Sequence, residues 1–194
     1  MRFKYQAGND DKDRIFDIAF ALMEEIGYEK LTIRKICEEA DISIGKFYRY
    51  FDSKQQLLSF FYDQAGKAYE EECAEKLIGM ETTDQLIRFY TWYMEYTTEF
   101  GVEFVTHFFN NQNAVMNTHI YNNPIIEITD SILERGVRNG FRIPEGKSIR
   151  DISNDLCVIV KGIIFDWCVR HGEFSLSEYT KDLLTRCIRG LFTE

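Results

Sequence analysis

Between Leu31 and Leu57 the chain reads LTIRKICEEADISIGKFYRYFDSKQQL, a spacing of polar, basic and aromatic residues that suits contact with a polyanion. Ser43 at a helix start turns backbone N–H groups outward, and that end of the helix dipole favours a phosphate. Gly45 has no side chain, so the backbone there can approach the floor of a groove. Ile44 and Lys46 project from the first turn, one suited to a thymine methyl and the other to guanine acceptors. Tyr48, Tyr50 and Lys54 can donate to phosphates, while Phe47 and Phe51, four apart, face the opposite way. Taken singly, Arg34, Lys35, Arg49 and Lys54 also fit solvated surface charges; only their joint register makes them a contact face.

The elements that hold these residues are helical. Ile15, Ile18, Ala19, Leu22, Met23 and Ile26 recur on one helix face, and Gly27 stands where a left-handed cap is wanted. Thr32 can cap a second helix with Leu31 and Ile36 as a hydrophobic staple, and Ser43 a third with Ile42 and Phe47 in the same roles. Two short helices on one long one make a three-helix unit with a tight turn after Ala40. Ser53 to Gln56 is a capping box, and the next helix is predicted from Lys54 to about Leu77, with Gly79 as its stop. Further helices are predicted from Thr82 to about Phe100, from Gly101 to Phe109, from Pro124 behind an Asn123 cap to Gly140, and from Ser148 to His171. Ser175 to Glu178 opens the last, and Asn110 to Asn113 reads as a loop. Sustained strand-like alternation is absent. The expectation is an all-α fold of about nine helices divided at 53/54, residues 1–53 forming one domain and 54–194 a larger one.

The net charge of −9 looks wrong for a nucleic-acid binder, but it is unevenly placed. Residues 1–56 carry 10 Lys and Arg against 11 Asp and Glu, whereas residues 57–194 carry 13 against 21. Within residues 30–54 the sign turns, with Lys30, Arg34, Lys35, Lys46, Arg49 and Lys54 against four acidic residues. An acidic remainder repels phosphate and leaves the basic face as the one favourable contact. No run approaches the roughly 18 apolar residues of a membrane span, and the polar start carries no signal sequence, so a cytoplasmic protein is expected without a membrane partner. The five cysteines (Cys37, Cys73, Cys157, Cys168, Cys187) are an odd count, widely spaced and without a C-x-x-C pair. They read as reduced small hydrophobes, a redox-sensing thiol being the alternative. A nucleophile–base pair, a phosphate-binding glycine loop and a metal-ligand cluster are all absent, so no catalytic residue, metal or cofactor is expected.

The stretch from Phe89 to Phe109 is unusually aromatic. Such spacing fits a packed core, yet Trp92, Tyr93, Tyr96, Phe104 and His107 bring polar tips into an apolar zone, as a site for a flat or apolar small molecule would. With Phe108, and with Phe165 from the eighth helix, they are the candidate lining of an effector pocket between helices 5 and 8.

The Leu31–Leu57 stretch resembles the DNA-binding motif of the TetR family of bacterial regulators, T-x-R-x-I-A-x-x-A-G-V-S-x-G-x-x-Y-x-Y/H-F-x-S-K-x-x-L. It matches at Thr32, Arg34, Ile36, Ala40, Ser43, Gly45, Tyr48, Tyr50, Phe51, Ser53, Lys54 and Leu57, with Ile42 for valine. Cys37 replaces a small alanine, and Asp41 the turn glycine, which aspartate tolerates better than most residues. The resemblance implies a helix-turn-helix domain followed by a helical ligand-binding and dimerisation domain. It implies that Arg34 reaches a base or phosphate, that Thr32, Tyr48, Tyr50 and Lys54 hold phosphates, and that Ile44 and Lys46 read bases. Arg49 joins this face. Residues 161–167, followed by Gly172 and a helix with Leu184 and Ile188, are similar to the family's last two helices, which pair between subunits as a four-helix bundle. Ile159, Gly162, Ile163, Trp167, Leu184 and Ile188 are then the candidate dimer seam, burial within one subunit being the alternative. The function implied is a homodimeric repressor on a palindromic operator in double-stranded DNA, released by an apolar or aromatic small molecule. An activator of the same fold, or a carrier or enzyme using the aromatic cavity, is the alternative.

Overall fold

A computed structural model of the chain describes residues 11–109 and 123–192. Among them are nine α-helices and no strand: α1 (Asp11–Ile26), α2 (Ile33–Glu39), α3 (Ile44–Phe47), α4 (Lys54–Glu72), α5 (Thr82–Glu99), α6 (Gly101–Phe108), α7 (Pro124–Arg138), α8 (Ile149–Val169) and α9 (Leu176–Phe192). The loop read at Asn110–Asn113 lies outside the described residues.

The caps read from the sequence set most boundaries. Thr32 accepts from the Lys35 amide, Ser43 from that of Lys46, and Ser53 from that of Gln56. Asn123 caps α7 through the Ile125 and Ile126 amides with Pro124 at the first turn, and Ser148 and Asp151 form a reciprocal capping box on α8. Each such cap contributes about 1 kcal/mol. The fourth helix departs from expectation: it ends at Glu72, and a tighter 3-10 turn over Ala74–Leu77 follows, with Cys73 and Leu77 both buried.

In the N-terminal unit, Ile15, Phe16, Ala19 and Met23 of α1 meet Leu31, Ile36, Phe47 and Phe51, all nearly inaccessible. The turn between α2 and α3 places Asp41 at φ 49°, the left-handed conformation that the missing glycine would have taken without penalty. Buried Asp13 fixes α1 to α4, accepting from Lys67 Nζ at 2.8 Å and Gln64 Nε2 at 2.7 Å. The Arg14 guanidinium donates to the Ala40 carbonyl at the end of α2.

The remaining helices enclose one core that is continuous with this unit, from Ile15 to Ile188. The α9 helix lies along α5, α7 packs on α8, α4 and α5, and α6 packs on α8 and α4. Close approach of α7 to α5 depends on Gly136, where a Cβ would stand 2.5 Å from the Thr82 hydroxyl. Phe47, Phe51, Phe60 and Phe16 follow ring on ring at 5.5–5.6 Å. Phe16 then meets Phe100 at 6.4 Å, and Phe100 meets Phe61 at 4.9 Å. A packed aromatic column therefore joins the inner side of α3 to the middle of the larger domain.

Candidate nucleic-acid interface and effector core

The short helix α3 is held by its inner face. Phe47 is fully buried, whereas Ile44 and Tyr48 are about half exposed, at 49% and 51%. Exposure of two large apolar side chains side by side is unusual on a surface with no partner. Gly45 lies between them, and a Cβ there would meet only Ser43 Oγ at 3.9 Å, so the backbone is open to approach. Thr32, Arg34, Ser43 and Arg49 are exposed around this patch. The Thr32 and Ser43 oxygens serve their caps, and Arg34 pairs with Glu38 at 2.9 Å on the surface of α2.

Three more of the expected contact residues, Lys46, Tyr50 and Lys54, are engaged with distant parts of the chain. Lys46 Nζ lies 2.8 Å from Asp11 Oδ2, and the Tyr50 hydroxyl donates to the same oxygen at 3.0 Å. Hydrogen bonds from Lys46 first and Tyr50 second hold the Asp11 carboxyl below its ordinary range, so it is ionised at neutral pH. Lys54 Nζ donates to the carbonyls of Tyr28 (2.9 Å) and Leu31 (3.1 Å) and sits 3.8 Å from the centre of the Tyr28 ring. Its ammonium closes the 3-10 turn Tyr28–Lys30 that separates α1 from α2.

The Tyr28 ring also stacks with His107 at 4.5 Å, and His107 Nδ1 lies 3.9 Å from Glu29. His107 therefore lies at the junction of α6 with the N-terminal unit and is not brought to the aromatic core. Phe165 is not brought there either; it is 65% exposed on the outside of α8. Trp92, Tyr93, Tyr96, Phe104 and Phe108 are assembled together and buried. At their centre is Phe61, whose ring has Tyr93, Tyr96, Phe100, Phe104 and Phe108 within 4.9–6.3 Å. Trp92 Nε1 donates to Glu72 at 3.0 Å, which satisfies the indole at the edge of this cluster. Phe61 and Tyr62 of α4 belong to no motif in the sequence, and their spacing from Leu57, Leu58 and Ala65 is the signal that marks them as part of this core.

The residues expected at the dimer seam lie mostly inside the subunit. Ile163, Trp167, Leu184 and Ile188 are buried within the subunit, at 6% exposure or less, and Trp167 Nε1 is spent on the Phe174 carbonyl. Ile159 is half-buried. The outward face of α8 instead carries Val158, Gly162, Phe165 and Val169, at helical spacing, with the three side chains 54–65% exposed. Gly162 keeps its place on this face, and nothing stands within 4 Å of a Cβ built there.

The larger concavity, about 1390 Å³ between the C-terminal half of α4, the Ala74–Leu77 turn and α7, is open and lined by Glu70, Glu75, Glu127, Arg135 and Arg142 as well as apolar groups. It offers no apolar enclosure. Among the described residues no group of His, Cys, Asp and Glu could hold a metal ion, and no helix is long and apolar enough to cross a membrane. The cysteines are free thiols. Burial pushes Cys73 up to about 11 and raises Cys37, Cys157 and Cys168, which disfavours thiolate chemistry at all four.

Comparison with known proteins agrees with this architecture. Residues 15–59 match the family model described as bacterial regulatory proteins, tetR family. The HTH-type transcriptional repressor KstR of Mycolicibacterium smegmatis is 40% identical over 53 residues, which is 27% of this chain and 26% of that protein. The match thus spans about a quarter of the repressor's length. The fatty acid metabolism regulator protein of Bacillus subtilis is 23% identical over 185 residues, covering 92% of this chain and 94% of that one. The crystal structure of Thermus thermophilus FadR, described as a TetR-family transcriptional repressor in complex with lauroyl-CoA, superposes with a TM-score of 0.69 at 17% identity, covering 94% of this chain and 96% of that chain. At that identity the likeness concerns the fold.

Proposed function

We propose, from the match of residues 15–59 to the tetR family of bacterial regulatory proteins, that this chain is a TetR-type repressor that binds a palindromic operator as a homodimer and is released by an acyl compound. The observation that carries the DNA-binding reading is the two-sided α3 helix: Phe47 is locked into the core while Ile44, Gly45 and Tyr48 face outward beside basic residues. Laid in a major groove, that face would present Ile44 and Lys46 to base edges, with Thr32, Ser43, Tyr48, Arg49 and Arg34 toward the backbone. Lys54 would act mainly by bracing the turn before α2. The two copies would reach successive grooves about 34–36 Å apart. A second copy seated on the α8 stripe at Phe165 supplies the pairing, and the domain division at 53/54 separates the DNA-contacting part from the part that pairs and senses.

The acyl character of the effector is supported by the lauroyl-CoA bound to the Thermus relative and by the aromatic, apolar core around Phe61 in this chain. An acyl chain entering between α5 and α8 would displace packed rings that lead through Phe100 and Phe16 to α3. It would favour a different spacing of the two recognition helices to the extent that it binds that state more tightly. Selection of bound sequences from a random duplex pool, followed by anisotropy titration between 50 and about 200 mM salt, tests the proposal. The expected result is a palindromic preference, a steep loss of affinity with salt, and release by decanoyl-CoA. Equal binding to all sequences, or salt-independent binding, would sink it.

Asp11 gives a sharper expectation about the same face. Its carboxylate neutralises Lys46 and would stand close to the phosphates that flank the reading helix. Asp11→Asn keeps an acceptor for Tyr50 but removes the charge, so affinity for any duplex is expected to rise by about 3- to 10-fold at low salt, with the salt slope steepened by about one. Weaker binding together with altered base preference would instead make Asp11 the group that aims Lys46.

A further inference from the structure

Between α4, α5, α7 and α8 lies a cavity of only about 10 Å³, lined by Tyr62, Tyr90, Tyr93, Asn123, Cys157 and Lys161, with Ile125, Val160 and Ile164 closing it. It lies inside the core and its surface is mostly apolar, but three tyrosines, Asn123, Cys157 and Lys161 bring polar groups to its edge, and several of their hydrogen bonds can be assigned. Thr129 Oγ1 gives its single proton to the Ile125 carbonyl at 2.7 Å, so in the 2.8 Å contact between Thr129 and Tyr90 it is Tyr90 that donates. The Asn123 side-chain oxygen accepts from the Ile125 and Ile126 amides. Lys161, one helical turn after Cys157 on α8, also lines the cavity, and an ammonium brings donors only. The Tyr62 hydroxyl is fully buried with no hydrogen-bond partner among the described residues.

An unpaired buried hydroxyl destabilises the fold that holds it, a penalty that a phenylalanine at the same place would avoid. At the edge of the cavity the Tyr62 hydroxyl therefore holds a proton that no described residue accepts. From this we infer that the cavity receives an oxygen acceptor of the effector, the carboxylate or thioester carbonyl of an acyl chain, with Tyr62 donating to it and Lys161 beside it. The carbons of the chain then lie toward Phe108 and Phe61, whose rings are 5.0 and 5.9 Å from that of Tyr62. The inference rests on the reading of the effector as an acyl compound and adds which of its atoms is recognised, and by what.

Tyr62→Phe in the full chain removes the donor and little else. Thermal unfolding and binding are measured with decanoate, decanoyl-CoA and 1-chlorodecane, which share a chain but differ in the head; the first two separate a free carboxylate from a thioester. The wild-type chain is expected to bind at least one oxygenated probe more tightly than 1-chlorodecane. The variant is expected to unfold at the same or a higher temperature without ligand, and to lose about 10-fold or more in affinity for the oxygenated probe alone. A variant that unfolds at lower temperature yet binds the oxygenated probe unchanged would overturn the inference, as would equal weakening of all three probes or preference of the wild type for 1-chlorodecane. Operator binding without ligand is read in parallel. If the operator is bound but neither oxygenated probe is, this inference falls and the DNA-binding reading stands; if no operator is found, the latter falls on its own.

Discussion

Phe61→Ala is expected to lower the free energy of unfolding by about 3–5 kcal/mol. Phe61 is fully buried and contacts five aromatic rings contributed by α5, the Phe100 junction and α6, so its loss removes a large apolar surface from a site with several stiff walls. Rings held in mutual contact cannot all move inward at once, and an unfilled space forfeits both transfer energy and dispersion contacts. For a chain of this size the midpoint of thermal unfolding is expected to fall by about 6–20 °C, measured at fixed protein concentration because pairing of subunits would add to stability. An apolar cavity of that kind stays dry and accepts small aromatic solutes. Benzene is therefore expected to restore part of the loss in the variant and to do nothing for the wild type. A cost below about 1 kcal/mol would mean that the core around α4 collapses freely, and the view of it as a stiff element between the sensing and DNA-contacting parts would have to be given up.

What could be read beforehand and what could not follow from the range of the forces involved. Caps and staples are local, so Thr32, Ser43, Asn123 and Ser148 mark helix starts that the structure reproduces. The end of α4 is not local: Glu72 and Cys73 have no breaker beside them, and the change to a 3-10 turn accompanies burial of Cys73 and Leu77 in the tertiary core. The outward face of α3 was legible because Phe47 and Phe51 fix its phase. On α8 two apolar stripes run side by side, Ile163 and Trp167 on one and Val158, Phe165 and Val169 on the other, and only packing against the rest of the chain decides which is internal. The bond from Lys46 to Asp11, 35 residues earlier, and the fit of Lys54 onto the Tyr28 and Leu31 carbonyls depend likewise on tertiary placement.

The two stripes of α8 make opposite predictions. Phe165→Asp places a charge on a surface that is already 65% exposed, so the subunit's fold should tolerate it with little change in circular dichroism. If the stripe is the seam, two-fold symmetry places the substitution twice in one interface, and burying two unpaired carboxylates there costs about 4–8 kcal/mol. Sedimentation should then show monomers at micromolar concentration, and operator affinity should fall by at least about 100-fold, because a single three-helix unit contacts one half-site. Ile163→Ala, on the internal stripe, is expected to do the reverse, lowering stability by about 2–5 kcal/mol while leaving the subunits paired wherever they remain folded. Should Phe165→Asp stay dimeric and Ile163→Ala separate the subunits without unfolding them, the pairing surface is not the exposed face of α8, and the spacing of the recognition helices must be set by other contacts.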